Sequence, residues 1–392
     1  MGAAGRRRLI GVHITLTANT DWYLFNFRRD LARAAVAAGH EVSLVCPGGP
    51  YAERLQGEGF EVRTYTVPTD SFSLAGNRRS LAEITAAYQA LSPDLVHLHT
   101  PICVLLGSLA GSKLEIPYRV AALTGLGHVF TSESMKARVV RPGLRHVFRR
   151  ELARPGTAVI FPNEADRDEL VQARVVEAAR THLVRGSGVD IERFRPRVDA
   201  NSASRAVGDG PLRILFASRL LREKGIEELV EAFQAVRTDH PDVELWIAGE
   251  PYRPNPTSLD EAEVAALGQI PGVRVLGQVD DMPGLLAQVD IVALPSWREG
   301  TPKILLEAAA CGLPIVATDI PGCQGVVDPD QSGFLVPVRD VQALAQALKA
   351  LMTDPERRLA FGRRGREIVE RGFSTTEVNR ATLAVYDQLT RQ

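Results

Sequence analysis

PSWREGTPKILLEAAACGLPIVATDIPGCQG (Pro295–Gly325) reads as a loop, a helix and a strand in succession. Pro302 suits the first helical position, where a missing N–H is no loss, and Thr301 before it can cap. Gly312 and Pro314 end the helix, and Ile315-Val316-Ala317-Thr318 continues as a strand. Helical spacing places Ile304, Ala308 and Cys311 in one apolar stripe, with Glu307 at its edge. A carboxylate there must find partners or shift its pKa. An ordinary ion pair with Lys303, four residues back, is the plainer alternative. Free N–H groups at such a helix start attract phosphate or a partly charged sugar oxygen. Glu299 precedes the helix, and at about 1.5 Å per residue Glu307 lies roughly 9 Å further along the axis than Thr301. Two carboxylates that far apart suit the two ends of a long polyhydroxylated ligand better than a shared proton or metal.

Outward from this stretch, strand and helix signals alternate along the whole chain, as parallel sheets covered by helices require. The first half has strands at 9–16, 41–47, 60–67, 94–100, 118–123 and 158–162, with helices at Leu24–Ala38, Leu81–Leu91 and Glu164–Ala173 among them. Near Arg195 the pattern loosens into PRVDANSASRAVGDGP, a linker by composition. Strands then resume at 212–218, 243–250, 273–278, 291–296 and 314–319, with helices 225–237, 302–311 and 341–351. The expectation is an α/β chain of two doubly wound, Rossmann-like domains facing a cleft, the first spanning 1–195 and the second 196–374. Such sheets bind ligands beyond the carboxyl ends of their strands.

Composition narrows the class. A chain of 392 residues, 45% hydrophobic and 24% charged, is globular and long enough for two domains. Its formal net charge of −1 argues against a nucleic-acid partner. Cys46, Cys103, Cys311 and Cys323 form no C-x-x-C pair and read as reduced core residues of a cytoplasmic protein. No apolar run reaches the roughly 18 residues that span a bilayer. Arg6-Arg7-Arg8 before an apolar run is superficially like a leader, but the run is short and holds His13, so a first strand is expected.

A second cationic station follows the strand LRILFAS. Arg219 comes directly after it, and Lys224 precedes Gly225 and the helix IEELVEAFQAV. An Arg fork holds phosphate at two points and Lys adds a compact charge, an arrangement suited to a departing diphosphate. G-x-x-x-x-G-K-[ST] is absent, so this is no Walker A loop. Asp280-Asp281 reads as a loop and helix start rather than a metal pair.

With both stations in view, the chain resembles the retaining glycosyltransferases of family 4 and their GT-B fold. The matching stretches are SRLLREKG (218–225), EGTPKILLE (299–307), GSGVDIERF (186–194) and GFSTTEV (372–378). Residues 17–47 and TGLGHVF (124–130) are similar to the branch that assembles bacterial capsule, O-antigen and lipid-linked oligosaccharides, including undecaprenyl-diphosphate-sugar N-acetylgalactosaminyltransferases. The resemblance implies that Arg219 and Lys224 hold the donor diphosphate, Glu307 the ribose hydroxyls and Glu299 hydroxyls of the transferred sugar. Gly300, Thr301, Pro302 and Lys303 complete the implied donor site. His128 would reach the donor sugar, so that Glu299, Arg219, Lys224 and His128 form the catalytic set. No catalytic metal or other cofactor is implied, because the cations replace it. The C-terminal helix 375–392 would pack back on the first domain.

On the acceptor side the expected residues are Asn19, Thr20 and His99, the last beside His97 on one face of its strand. Relatives often carry Gly-Gly in this first loop, where the chain has Thr17–Asp21, so Asn19 or Thr20 would act through side chains instead. The insertion PYRPNPTSLDEAE and the triplet Gly322-Cys323-Gln324 also depart from the family pattern. Implied partners are a nucleotide-sugar donor and a lipid diphosphate-linked or other saccharide acceptor. Met135–Arg154 holds Lys136, Arg138, Arg141, Arg145, Arg149, Arg150 and Arg154, and Trp22, Tyr23, Phe25 and Phe27 lie near Arg28, Arg29 and Arg33. Basic and aromatic residues gathered so suggest an anionic membrane surface, with the protein peripheral on its cytoplasmic face. Two other readings stay open: a UDP-N-acetylglucosamine 2-epimerase-like isomerase, and a non-catalytic sugar-nucleotide binder.

Overall fold

Runs dense in Val, Ile and Leu form the strands, and most are buried on both faces. Helices carry the chain back between them, so every ladder in both sheets is parallel. The computed structural model describes residues 11–68, 73–123, 135–196, 210–253 and 255–391, with 135–141 by backbone alone. It divides into two units, Met1–Ser187 with Thr375–Gln392, and Gly188–Ser374.

The first unit has β1 (His13–Thr17), β2 (Glu41–Cys46), β3 (Glu61–Thr64), β4 (Leu95–His99), β5 (Tyr118–Ala122), β6 (Thr157–Phe161) and β7 (Thr181–Leu183), in the order β3-β2-β1-β4-β5-β6-β7. The second has β8 (Arg213–Ala217), β9 (Glu244–Ala248), β10 (Val273–Gly277), β11 (Ile291–Leu294), β12 (Ile315–Thr318) and β13 (Gly333–Val336), ordered β10-β9-β8-β11-β12-β13. Each sheet reverses its order once, between β1 and β4 and between β8 and β11. Those reversals are the places where a doubly wound sheet leaves room for a ligand.

Each expected strand forms with changed ends, the first as His13–Thr17 with residues 9–10 outside the described residues, while β7 and β13 are additional. β7 is three residues long and largely unburied, and β13 has only Phe334, Leu335 and Val336 after its glycine, too short an apolar run to mark a strand. The helix expected at Leu24–Ala38 starts at Asp21 and passes through a π-turn, Leu24–Arg28, before Arg29–Ala37. The expected division at 195/196 moves to 187/188. Val189 and Phe194 lie in the second unit's core, and Arg366 donates to the carbonyls of Ile191 and Phe194 at 3.1 and 2.7 Å, tying 188–196 there. Residues 197–209 of the expected linker lie outside the described residues. The helix Thr375–Thr390 buries Val378, Val385, Tyr386 and Leu389 in the first unit's core.

Candidate functional site

Three loops of the second unit meet at the carboxyl ends of β8, β11 and β12. Gly225 has φ +75°, and a Cβ there would lie 2.0 Å from the Pro295 carbonyl oxygen. Only glycine allows both the left-handed turn and that approach. Trp297 N–H donates to the Glu223 carbonyl at 2.9 Å. On the other side, a Cβ on Gly322 would lie 2.3 Å from the Glu299 carbonyl oxygen. The backbone of 295–300 is therefore gripped between 223–225 and 322, and Glu299 has a fixed origin.

Its side chain is fixed too. Lys224 Nζ donates to Glu299 Oε1 at 2.6 Å, and Ser296 Oγ donates to the same oxygen at 2.8 Å. The two charged side chains are 12% and 13% exposed, so the pair is largely shielded from water and screening. Ser296 is itself fully buried, and its carbonyl accepts the Thr318 hydroxyl of β12. Cys323 lies against the pair, and burial pushes its thiol well up, which leaves it inert. Lys224 and Glu299 were expected to serve different parts of a donor; here they are each other's partner.

Arg219 is exposed, with its guanidinium 5.0 Å from the centroid of the Tyr252 ring. Tyr252 belongs to the insertion after β9, and that insertion is laced to the Arg219–Lys224 loop. Leu259 N–H donates to the Leu220 carbonyl at 2.9 Å and Arg222 N–H to the Thr257 carbonyl at 2.8 Å, while Asn255 Nδ2 meets Glu223 Oε1 at 3.1 Å. The insertion that departs from the family pattern thus braces the cationic turn.

The helix start differs from expectation in detail. Pro302 is the N-cap of Lys303–Ala310, with φ −72° and ψ 119°, and no side chain caps it. Thr301 is one residue too early to cap, because the extended backbone of Pro302 delays the first helical turn. Glu307 is 8% exposed. Burial pushes its carboxyl up to about 7, against the pull of Lys303 and of Arg193. The pair with Lys303 does form, at 3.9 Å, but it does not offset the desolvation. Arg193 was not singled out by sequence, although it sits inside the GSGVDIERF stretch. Ser296 and Tyr252 were also missed: one looks like any strand-end serine, and the other lies in an unmatched insertion.

The first unit's expected residues fare differently. Asn19 and Thr20 are half-buried after β1, and Thr20 Oγ1 accepts from Tyr23 N–H at 3.1 Å, capping the short helix Asp21–Tyr23. His99, expected to line the acceptor side, is fully buried, because strand alternation turns it with His97 beneath the helices. His128 lies outside the described residues. Of the aromatic–basic cluster, Trp22 is exposed but Phe25 is buried under Arg29 and Arg54, and Arg28 is buried as well. Arg29 and Arg33 pair with Glu58. Arg145, Arg149 and Arg150 are exposed, and the buried Glu151 pairs with Arg154 at 3.0 Å and with Arg150 at 3.7 Å.

Asp281 caps a helix through Gly284 N–H at 3.1 Å. Among the described residues no group of three or more His, Cys, Asp or Glu side chains is placed to hold a metal ion. Nor is any described helix long and apolar enough to cross a membrane. All four cysteines are buried and unbridged.

Two parallel-sheet, Rossmann-like units of this kind define the GT-B class. The structure of Anabaena HepE in complex with UDP and glucose superposes with a TM-score of 0.76 at 19% identity, covering 96% of this chain and 99% of that one. The family model "Glycosyl transferases group 1" matches residues 211–354, and "Glycosyl transferase 4-like domain" matches residues 26–186. A D-inositol 3-phosphate glycosyltransferase of Xylanimonas cellulosilytica is 31% identical over 315 residues, 76% of this chain and 73% of that protein. The N,N'-diacetylbacillosaminyl-diphospho-undecaprenol alpha-1,3-N-acetylgalactosaminyltransferase of Campylobacter jejuni is 25% identical over 342 residues, 86% of this chain and 88% of that protein. The chain belongs to the group 1 glycosyl transferases and is a glycosyltransferase.

Proposed function

We propose that the protein is a retaining glycosyltransferase that moves a hexose or N-acetylhexosamine from a UDP-sugar to a lipid diphosphate-linked saccharide during bacterial surface-glycan assembly. The observation that carries this reading is the Lys224–Glu299–Ser296 cluster beside exposed Arg219, where the β8–β11 order reverses. Arg219 and Lys224 supply two positive charges for a leaving diphosphate, whose charge grows in the transition state. Glu299, held by Lys224 and Ser296, is placed to accept sugar hydroxyls, and its engaged oxygen makes it a poor nucleophile. That favours front-face attack, in which the leaving phosphate oxygen takes the acceptor proton and the anomeric configuration is retained. The cations take the part a divalent metal plays elsewhere. Uridine as the base follows HepE, and the diphosphate-linked acceptor follows the Campylobacter enzyme.

Purified protein given UDP-, GDP- and ADP-sugars with a polyprenyl-diphosphate saccharide is expected to release UDP and form an α-linked product from an α-linked donor. An inverted product, or turnover of the sugar nucleotide without acceptor, would refute the reading; the latter outcome marks an epimerase. Arg219→Ala is expected to lower kcat by about 100-fold while changing donor KM by less than about fivefold. The enzyme works at the cytoplasmic membrane face, where exposed Arg145, Arg149 and Arg150 meet anionic headgroups. Co-sedimentation with anionic but not neutral liposomes checks this, and equal recovery with both removes it.

A further inference from the structure

A second cationic centre lies in the first unit, unused by the donor site. Arg28 closes the π-turn Leu24–Arg28, and such a turn shifts the phase of a helix by one residue, often at functional positions. Here the shifted residue is an arginine only 5% exposed. Its guanidinium donates to Tyr23 Oη at 2.9 Å, its Nε has no partner, and among the described residues no carboxylate pairs with it. His97 and His99 project from the same face of β4, with ring centroids 4.0 Å apart. Burial holds both imidazoles well below their ordinary pKa, and Arg28 adds to the effect. They are neutral hydrogen-bonding groups, and among the described residues the positive charge acting on both is that of Arg28.

The orphaned atoms point to a ligand. His97 Nδ1 lies 2.6 Å from Tyr386 Oη, and a hydroxyl donating there leaves the ring proton on Nε2. That Nε2 is buried without a partner, as are both nitrogens of His99. A cavity of about 10 Å³ lies against Arg28, His97, Ala122, Pro162, Gly186 and Thr382, past the carboxyl ends of β5, β6 and β7. Among its described lining residues Gly186 alone is not buried. The space admits one water-sized atom. Water would satisfy the donors, but it would leave the guanidinium charge uncompensated. An oxygen of an oxyanion does both.

We propose that Arg28 and His97, backed by His99, bind one phosphoryl oxygen of a phosphate or diphosphate, supplied by the acceptor or by free phosphate. The acceptor source rests on the glycosyl-transfer reading; the binding itself does not. The experiment uses full-length protein carrying Arg219→Ala, Lys224→Met and Glu299→Gln, so that the second unit's cations cannot report and Glu299 leaves no unpaired charge. Calorimetric titration with inorganic pyrophosphate is expected to show one site, weakened at least tenfold by Arg28→Gln. His97→Asn, whose shorter amide stands near the Nδ1 position, keeps a partner for Tyr386 and withdraws the Nε2–H donor, and it serves if Arg28→Gln does not fold. No binding in the parent background, or undiminished binding by a folded variant, overturns the proposal. The source follows from transfer kinetics of Arg28→Gln in the otherwise unaltered chain. A tenfold rise in KM for a polyprenyl-diphosphate saccharide, with none for the same saccharide on a phosphate-free alkyl chain, assigns the site to the acceptor. Equal KM changes for both, with pyrophosphate binding lost, assign it to free phosphate. Absence of any transfer by the parent refutes the glycosyl-transfer reading alone and leaves the titration standing.

Discussion

Lys224→Met is expected to destabilise the second unit by about 3 kcal/mol and to lower kcat by roughly 100- to 1,000-fold. The stability loss follows from what is left behind. Glu299 would keep its charge at 13% exposure with only the Ser296 hydroxyl on it. Removing one member of a shielded pair leaves the other desolvated and unpaired, which is worse than having neither. The turnover loss has a different origin, since a leaving diphosphate loses one of its two cations. A double variant separates the two effects. Lys224→Met with Glu299→Gln is expected to recover most of the melting temperature and none of the turnover. Denaturation together with UDP release decides the matter. Recovery of turnover in the double variant, or a parent-like melting point in the single one, would show that the pair is not part of the machinery.

Glu307→Gln is expected to stabilise the protein at pH 8 while weakening uridine nucleotide binding at least tenfold. Burial pushes the folded carboxyl up to about 7, against 4.5 for the same group in an unfolded chain. Between those values the folded state keeps a proton that the unfolded state releases, so stability falls as pH rises through that window. The loss is complete above 7 and amounts to about 3 kcal/mol at 1.36 kcal/mol per unit. Glutamine carries no charge to desolvate, so the variant escapes this fall. Variant and parent should therefore melt together near pH 4.5 and separate by several degrees at pH 8. On the proposed reading, with Glu307 holding the ribose, binding runs the opposite way, because the ionised carboxylate accepts from both hydroxyls. Parent affinity for uridine nucleotides should drop from pH 8 to pH 6 more steeply than that of Glu307→Gln, which controls for titration of the phosphate itself. Parallel melting curves would remove the buried charge from the account, and parallel binding curves would remove the ribose contact.

Much of this molecule was legible before any coordinates. Period and punctuation marked the strands, because a parallel sheet buries both faces and leaves uninterrupted apolar runs in the chain. They failed at β7, which is short and little buried, at β13, which is only four residues long, and at the π-turn, whose extra residue has no signature in composition. The turns holding Arg219, Lys224 and Glu299, and the helix holding Glu307, were legible because helix starts after strands bring known residue types to known ends of a sheet. Gly225 and Gly322 were visible only as turn residues; the reason they are glycines, a carbonyl about 2 Å from a would-be Cβ, belongs to segments far apart in sequence.

Sequence alone determined the fold class, the parallel order of elements and which side chains stand at strand ends, since these follow from local propensity and periodicity. Tertiary structure alone decided that Lys224 and Glu299 are partners, that Glu307 is buried enough to titrate near 7, and that His99 points inward with Arg28. Pairing, desolvation and depth are properties of the space between segments. A linear pattern specifies which groups are present, but their free energies depend on what folding brings around them.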